Sequence, residues 1–228
     1  MASTPFPPRT ARQPEAQAAS VFETPLIIDQ LADASRLNSE LKQAIERRRA
    51  EDEGVQISNV GGWHSDTRML QWGGEPARRL CDHVIAVADR FTVDIKAGAA
   101  PQHRWAPEMW ANVSPPGASN RIHCHPGSFW SAVYYVDDGY DGSPDKSLGG
   151  ELVLIDPRWP MVRMTAPNLR FRRPGQSPDH DEARFRPASG RLVMFPSWLN
   201  HEVLPYKGKG TRISIAINLT AAAIPIGG

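Results

Sequence analysis

A series of short apolar runs in the second half of the chain constrains its fold more than any other feature. Clusters of Gly, Pro and Asp separate the runs, as expected for β-strands that are joined by turns. The runs occupy residues 110–113, 131–136, 151–155, 191–195 and 212–219. This pattern predicts a β-sandwich or barrel, and a chain of 228 residues is long enough for one such domain with a substantial core.

The first half of the chain has a different character, which predicts two helices. Leu37, Leu41 and Ile45 share the spacing of one helix face, and a charge-rich run follows them before Gly54. A second helix is predicted over residues 77–90. The fold class expected from the sequence is therefore mainly β with flanking helices.

Two segments are predicted to lie outside this regular structure. Residues 1–20 are rich in Pro and polar residues and bury too little apolar surface to order themselves, so we expect a flexible tail before a single domain at 21–228. Residues 156–187 form a long polar stretch with several prolines. That stretch is too long for an ordinary connection, so we interpret it as a long loop or lid.

Charge and cysteine content exclude several kinds of partner and location. Lys and Arg total 26 against 25 for Asp and Glu, so no strong field points to nucleic acid or an anionic membrane. Cys81 and Cys124 form no disulfide framework, and the sequence shows no secretory signal or membrane-spanning run. We therefore expect a cytoplasmic protein that acts on a small-molecule or peptide substrate, with a homodimer left open.

Three histidines form a candidate metal site. His123 and His125 are two residues apart, so in an extended chain both imidazoles leave the same face. His201 follows the run 191–195 and a turn, which could return it to the first pair in an antiparallel sheet. Imidazole suits Fe, Zn, Cu or Ni, so the ligand type alone leaves the metal open.

A candidate carboxylate site lies downstream of the third histidine. Arg212 and Ser214 share one strand face, and the arginine could hold a carboxylate through two hydrogen bonds. The strand around them is apolar, and an unpaired buried charge there would be costly. This context favours a bound anionic ligand over a surface ion pair.

Together these elements resemble the double-stranded β-helix superfamily of Fe(II)/2-oxoglutarate oxygenases. More narrowly, the chain is similar to a bacterial and phage family of 2-oxoglutarate/Fe(II) oxygenases. The segments that carry the resemblance are 58–65, 110–112, 123–126, 131–136, 149–152, 156–158 and 195–201. The resemblance implies a jelly-roll, cupin-like fold that binds Fe(II), 2-oxoglutarate and O2. It also implies hydroxylation of a substrate C–H bond, with release of succinate and CO2.

The resemblance adds further site residues. It implies that Asn112 and Tyr135 lie near the metal and bind the keto acid, with Tyr135 preferred over its neighbour in the sequence. Trp63, His64 and Trp130 fall near the matching segments and are interpreted as substrate contacts. No catalytic residue beyond the metal centre is required.

One position departs from the superfamily pattern. His125 stands where the pattern has Asp or Glu, so the predicted ligands are three neutral imidazoles instead of two histidines and a carboxylate. Two alternatives stay open at this point. One is a three-histidine, cupin-like metal dioxygenase that does not use 2-oxoglutarate, and the other is a non-catalytic jelly-roll binding module.

Overall fold

The computed structural model describes residues 21–96, 103–161, 164, 166–171 and 180–224. The predicted flexible tail at 1–20 lies outside the described residues. Both predicted helices are confirmed, as α1 (Ala34–Glu51) and α3 (Gly74–Arg90), with the short α2 (Met69–Trp72) before α3. A 3-10 turn covers Lys146–Leu148.

The described residues also form eleven β-strands. In chain order they are β1 (Ile27–Gln30), β2 (Asn59–Val60), β3 (Trp63–His64), β4 (His103–Ser114), β5 (Ser119–His123), β6 (Trp130–Asp137), β7 (Leu152–Ile155), β8 (Glu182–Phe185), β9 (Arg191–Pro196), β10 (His201–Val203) and β11 (Arg212–Ala223). The five predicted apolar runs coincide with strands, namely β4, β6, β7, β9 and β11. The predicted loop at 156–187 contains β8, which pairs with β7, and its role as a lid stays a prediction.

The strands form two antiparallel sheets. A six-stranded sheet, called the large sheet below, has the order β1-β9-β6-β11-β4-β3. A five-stranded sheet, called the small sheet, has the order β2-β5-β10-β7-β8. The chain crosses between the sheets repeatedly; for example, the consecutive strands β4 and β5 lie in different sheets.

The face of the large sheet that is turned toward the helices holds most of the core. Residues of β11 at alternate positions, from Ile213 to Leu219, pack there with Leu41 and Ile45 of α1 and Leu80 of α3. All of them are buried. This face is called the helix side, and burial of its aliphatic side chains is the main source of stability.

The opposite face of the large sheet is turned toward the small sheet and is called the barrel side. A smaller apolar cluster lies between the sheets at this side, and it contains Tyr135, Leu152, Leu154, Val193, Phe195 and Leu199. Beyond this cluster the barrel side becomes polar. Arg212 and Ser214 of β11 occupy it because they alternate with the apolar residues of the helix side.

Candidate metal centre

The small sheet brings the three predicted histidines together. His123 ends β5 and His201 begins β10, and the two residues pair directly across these antiparallel strands. Their ring centroids are 4.3 Å apart. His125 lies just beyond β5, where its backbone N–H donates to Ser197 O at 2.9 Å and so holds it beside the turn that precedes His201. Its ring lies 5.0 Å from that of His123 and 5.1 Å from that of His201.

The donor atoms of these rings are close enough for one metal ion. One ring nitrogen from each histidine lies within 4.8 Å of the other two. Nδ1 of His123 lies 2.6 Å from Arg121 O, and Nδ1 of His201 lies 2.9 Å from Leu199 O. A carbonyl accepts only from a protonated nitrogen, so in both rings Nε2 carries the free lone pair. Such hydrogen bonds fix the tautomer and orientation of metal-binding imidazoles.

The surroundings keep the imidazoles neutral, as metal ligation requires. Burial, together with the neighbouring His123 and His125, lowers the pKa of His201 to about 3. Burial and the nearby His123 lower the pKa of His125 to about 4. Burial also lowers the pKa of His123 below its usual value.

The donor set consists of imidazoles alone within the described part of the chain. No Asp, Glu or Cys there joins the group, although Cys124 lies between two of its members. Three neutral nitrogen donors suit Fe(II) and other divalent transition metals. The residues therefore fit a metal ion, and they leave more than one coordination position for other ligands, as catalytic metal sites do.

A pocket of about 440 Å³ opens beside the three imidazoles. The small sheet supplies the histidine wall, and the barrel sides of β4 and β11 supply the opposite wall. Arg212, Ser214 and Asn112 all lie on this opposite wall. The fold thus places the predicted carboxylate site across the pocket from the candidate metal ligands.

Arg212 is the most unusual residue of the pocket. Its side chain is 1% exposed, and its one hydrogen bond to a described residue runs from Nη2 to Ser114 Oγ at 3.2 Å. Its Nε is buried without a partner, and none of the described carboxylates forms an ion pair with it. Burial lowers the pKa of Arg212, with partial compensation from Tyr135 and other tyrosines. A buried guanidinium of this kind is costly unless an anion binds to it.

A row of polar residues crosses the large sheet beside Arg212. Ser214 pairs with Tyr135 on one side and Asn112 on the other, and Asn112 pairs with His64. Tyr135 is fully buried between the sheets, and its hydroxyl has no partner among the described residues. Burial raises the pKa of Tyr135 to about 12, so the phenol stays a neutral hydrogen-bond donor. Tyr134 points to the helix side, where its hydroxyl donates to Asn38 Oδ1 at 2.6 Å.

His64, at the end of this row, contacts Trp110, and Trp110 in turn contacts His125. The His64 ring stacks on Trp110 with centroids 5.7 Å apart, and the Trp110 ring packs edge-on against His125 at 5.6 Å. Nδ1 of His64 lies 2.6 Å from Ser65 O. Burial lowers the pKa of His64, and His123 contributes to the shift. The structure therefore brings His64 to the pocket, as the sequence predicted.

Two predicted substrate contacts lie elsewhere. Trp63 and Trp130 are buried in the helix-side core. The Trp63 indole donates to Asp52 O at 2.8 Å, and the Trp130 indole donates to Thr92 Oγ1 at 2.8 Å. Neither residue lines the pocket. The structure therefore corrects both interpretations, because the alternation of their strands turns these side chains away from the barrel.

Sequence reasoning also missed several residues of the pocket. Glu108, Ser131 and Asn218 line its outer part, and Trp110 separates them from the polar row. The sequence could have indicated Asn218, because it lies an even number of residues from Arg212 and Ser214 and therefore faces the same side of the strand. Glu108 and Ser131 are reached only through the pairing of their strands with β11.

Comparisons with known proteins agree with this arrangement. Residues 108–218 match the family described as "Putative 2OG-Fe(II) oxygenase". A search of curated protein sequences finds no match. Among solved structures, the chain is similar to a prolyl hydroxylase from Trichoplax adhaerens in complex with a hypoxia inducible factor peptide fragment, with a TM-score of 0.59 and 15% identity over 86% of this chain and 83% of that one.

Two bacterial structures show the same fold. A prolyl-4-hydroxylase from Pseudomonas putida has a TM-score of 0.53 and 22% identity, over 86% of this chain and 92% of that one. HygX from Streptomyces hygroscopicus, with nickel and 2-oxoglutarate bound, has a TM-score of 0.54 and 14% identity, over 86% of this chain and 83% of that one. These likenesses establish the double-stranded β-helix fold. The family match covers the three candidate metal ligands together with Arg212 and Ser214.

None of the helices among the described residues has the length and apolar character needed to cross a lipid bilayer.

Proposed function

We propose that this chain is a dioxygenase that uses Fe(II), 2-oxoglutarate and O2 to hydroxylate a substrate C–H bond, with the metal held by His123, His125 and His201. The observation that carries the proposal is the buried guanidinium of Arg212, which has no carboxylate partner among the described residues and lies on the wall that faces the three imidazoles. A metal site and an anion site on opposite walls of one pocket suit a cosubstrate that has a chelating end and a carboxylate end.

In this proposal the residues of β11 orient the cosubstrate. Arg212 donates charge-assisted hydrogen bonds to the distal carboxylate of 2-oxoglutarate, and Ser214 adds a hydroxyl donor on the same strand face. Tyr135 offers its unpartnered hydroxyl from the adjacent strand. Binding would therefore pair two buried groups, Arg212 Nε and the Tyr135 hydroxyl, that have no hydrogen-bond partner among the described residues, which favours the ligand over water.

The remaining predicted site residues have supporting roles in the proposal. Asn112 lies beside Ser214 and offers an amide to the keto acid, while His64 and Trp110 form a wall that limits access of water to the metal. When bound, Fe(II) with 2-oxoglutarate and O2 supplies the oxidising power that hydroxylates the substrate and releases succinate and CO2. The protein contributes orientation and a shielded pocket, and no amino-acid nucleophile is needed.

The three-histidine alternative without 2-oxoglutarate is less well supported. An enzyme that binds its substrate directly to the metal has no need of a buried cation on the opposite wall. Arg212 would then leave a costly unpaired charge with no function. A non-catalytic module is disfavoured by the same observation and by the accessible histidine site.

The class of substrate is less constrained than the cosubstrate. The solved structures that share the fold include one in complex with a peptide fragment, and the pocket volume of about 440 Å³ suits either a small molecule or one residue of a peptide. We propose one of these two classes as the prime substrate. Assembly as a homodimer and a cytoplasmic location stay predictions, and sedimentation of the full chain tests the first.

Anaerobic calorimetric titration of the Fe(II)-loaded protein with 2-oxoglutarate tests the cosubstrate. We expect saturable binding that Arg212→Met weakens by about 10- to 150-fold, because hydrogen bonds to charged groups contribute ~1.5–3 kcal/mol. Arg78→Met is the matched control, since Arg78 is exposed on α3 and lies outside the pocket. Equal affinities in the Arg212 variant and the control would refute the proposed carboxylate site.

Substitution of His125 tests the three-imidazole centre. We expect His125→Ala to lose iron and turnover together, whereas His125→Asp should retain iron with altered turnover. The aspartate restores a carboxylate but moves the donor atom, and a displacement of ~1 Å can cost on the order of 10²-fold in rate. Iron content and succinate formation are measured for the wild type and both variants. Wild-type iron content and turnover in the alanine variant would exclude His125 as a ligand.

A further inference from the structure

The barrel side of β11 orders the pocket into levels along the strand. Ala216 pairs with Trp110, whose ring packs against the candidate ligand His125 at 5.6 Å. Ala216 therefore lies at the level of the metal centre. At about 3.4 Å per residue, Arg212 lies roughly 14 Å away along the strand in one direction and Asn218 roughly 7 Å away in the other.

This order separates two ends of the pocket. The cosubstrate end contains Arg212 and Ser214, and the opposite end contains Asn218 with its neighbours in register, Glu108 on β4 and Ser131 on β6. All three of the latter line the pocket. A molecule at their end would lie next to the metal centre without displacing a ligand bound at Arg212.

Asn218 has the features of a residue that is positioned to bind a ligand. It is 5% exposed, and the Ser131 hydroxyl donates to its Oδ1 at 2.8 Å. With Oδ1 accepting from Ser131, the amino group Nδ2 is the end of the amide that is available to the pocket. Nδ2 forms no hydrogen bond with any residue that the structure describes. Nδ2 can therefore donate to an acceptor oxygen of a molecule that is bound in the pocket.

Glu108 provides the complementary group. It pairs directly with Asn218 across the antiparallel strands, so their Cβ atoms are about 5 Å apart on the same face. Its carboxylate is exposed at the pocket and has no ion pair or hydrogen bond with the described residues. The outer end thus presents an N–H donor beside a carboxylate acceptor.

We propose that Asn218 and Glu108 recognise the prime substrate through an amide, with the carbonyl oxygen accepting from Asn218 Nδ2 and the N–H donating to Glu108. This inference rests on the proposed function and names its substrate class. The N–H and C=O of one residue in an extended peptide point to the same side, as do those of a primary carboxamide. Either group meets a donor and an acceptor that lie side by side.

The test uses a set of N-acetyl amino acid N-methylamides that covers the twenty side chains, with myo-inositol as a comparison that carries hydroxyls only. Binding is measured by saturation-transfer NMR on protein that holds Zn(II) and 2-oxoglutarate, which cannot turn over. Succinate formation above the probe-free rate is measured on the Fe(II) enzyme.

The variants are Asn218→Asp, which replaces the donor by an acceptor of the same shape, and Glu108→Gln. Glu75→Gln is the control, an exposed acid on α3 outside the pocket.

We expect at least one amide to bind and to raise succinate formation, and each pocket variant to weaken its binding at least about tenfold. The control should bind it as the wild type does. Absence of binding by every amide, or an unchanged Kd in both pocket variants, would overturn the inference, as would myo-inositol binding that shows the same sensitivity in place of the amides. Calorimetry with 2-oxoglutarate separates the two proposals, because loss of cosubstrate binding refutes the proposed function, whereas intact cosubstrate binding without amide binding refutes only this inference.

Discussion

The helix side and the barrel side of the large sheet use the same strands for opposite purposes. On β11, Ile213, Ile215 and Ile217 are buried against the helices in a continuous apolar core. On the other face of the strand, Arg212 and Ser214 line the pocket, and the guanidinium Nε has no partner among the described residues. Because side chains alternate along the strand, one residue contributes to the stability of the core and the next contributes to ligand binding. Substitutions at neighbouring positions should have opposite effects.

The largest effect is expected on the helix side. Ile217→Ala removes a fully buried side chain and leaves a cavity, which should lower the free energy of unfolding by ~2–5 kcal/mol. Affinity for 2-oxoglutarate should stay within about twofold at a temperature where the variant is folded. Urea unfolding and calorimetric titration check the two halves of this prediction. A variant that is folded but binds the cosubstrate much more weakly would show that the two sides are coupled.

The next largest change in the free energy of unfolding is expected on the barrel side, and it has the opposite sign. Arg212→Met replaces a buried cation, which has no carboxylate partner in the part of the chain that the structure describes, by an apolar side chain of similar length. Without ligands, the free energy of unfolding should therefore be unchanged or higher by up to ~3 kcal/mol, although cosubstrate binding is weaker. Unfolding of ligand-free protein in urea measures it. A clear loss of stability would mean that Arg212 has a structural role that its visible contacts do not explain.

The buried imidazoles give the barrel a sensitivity to acid that the helix-side core lacks. The pKa of His201 in the folded state is about 3, below its unfolded value of about 6.5. The unfolded state thus binds the proton first, so stability is complete above pH 6.5 and is lost as the pH falls toward 3. Between pH 7 and pH 5 this histidine alone should cost metal-free protein ~2 kcal/mol, by the linkage of 1.36 kcal/mol per pH unit.

Urea unfolding with a chelator present checks this prediction in the wild type and in His201→Asn. The variant removes the titrating imidazole, so its stability should fall less between the same two pH values. Equal losses in the two proteins would place the acid sensitivity elsewhere.

The smallest effect comes from two neighbouring tyrosines on opposite sides. Tyr134→Phe removes the hydrogen bond to Asn38 and should lower the free energy of unfolding by ~1 kcal/mol. Tyr135→Phe removes a hydroxyl that has no described partner, so stability should hold while cosubstrate affinity falls several-fold. The same two measurements, unfolding and titration, apply to both variants. Loss of stability in the Tyr135 variant, or loss of cosubstrate affinity in the Tyr134 variant, would contradict the roles assigned to these two residues.

The sequence predicted the strongly patterned parts of the fold and missed the weakly patterned ones. The long strands of the large sheet carry apolar runs, and both long helices show clear spacing, so these elements were predicted. β5 and β10, which hold His123 and His201, are short and polar and carry no such signal. They exist because their backbones pair across the small sheet, which is a tertiary effect that local patterns do not contain.

Strand parity explains the errors in the predicted site. Trp63 and His64 are adjacent, and Trp130 and Tyr135 are an odd number of residues apart on β6, so neither pair can share one face. Assigning both members of each pair to the pocket was therefore inconsistent with the strands themselves. Which member faces inward depends on contacts outside the strand, such as the hydrogen bond from the Trp130 indole to Thr92.

The unequal strand lengths of the two sheets have a consequence for local unfolding. β4 and β11 contain twelve residues each, whereas β5 has five and β10 three. Short strands with few buried apolar side chains open more readily, so amide hydrogens of the small sheet should exchange with solvent faster than those of the large one. All three candidate metal ligands lie on or beside this small sheet. Metal binding should then slow exchange mainly in β5 and β10, because the ion stabilises the small sheet. The large sheet, which holds the cosubstrate residues, is already stable without the ion.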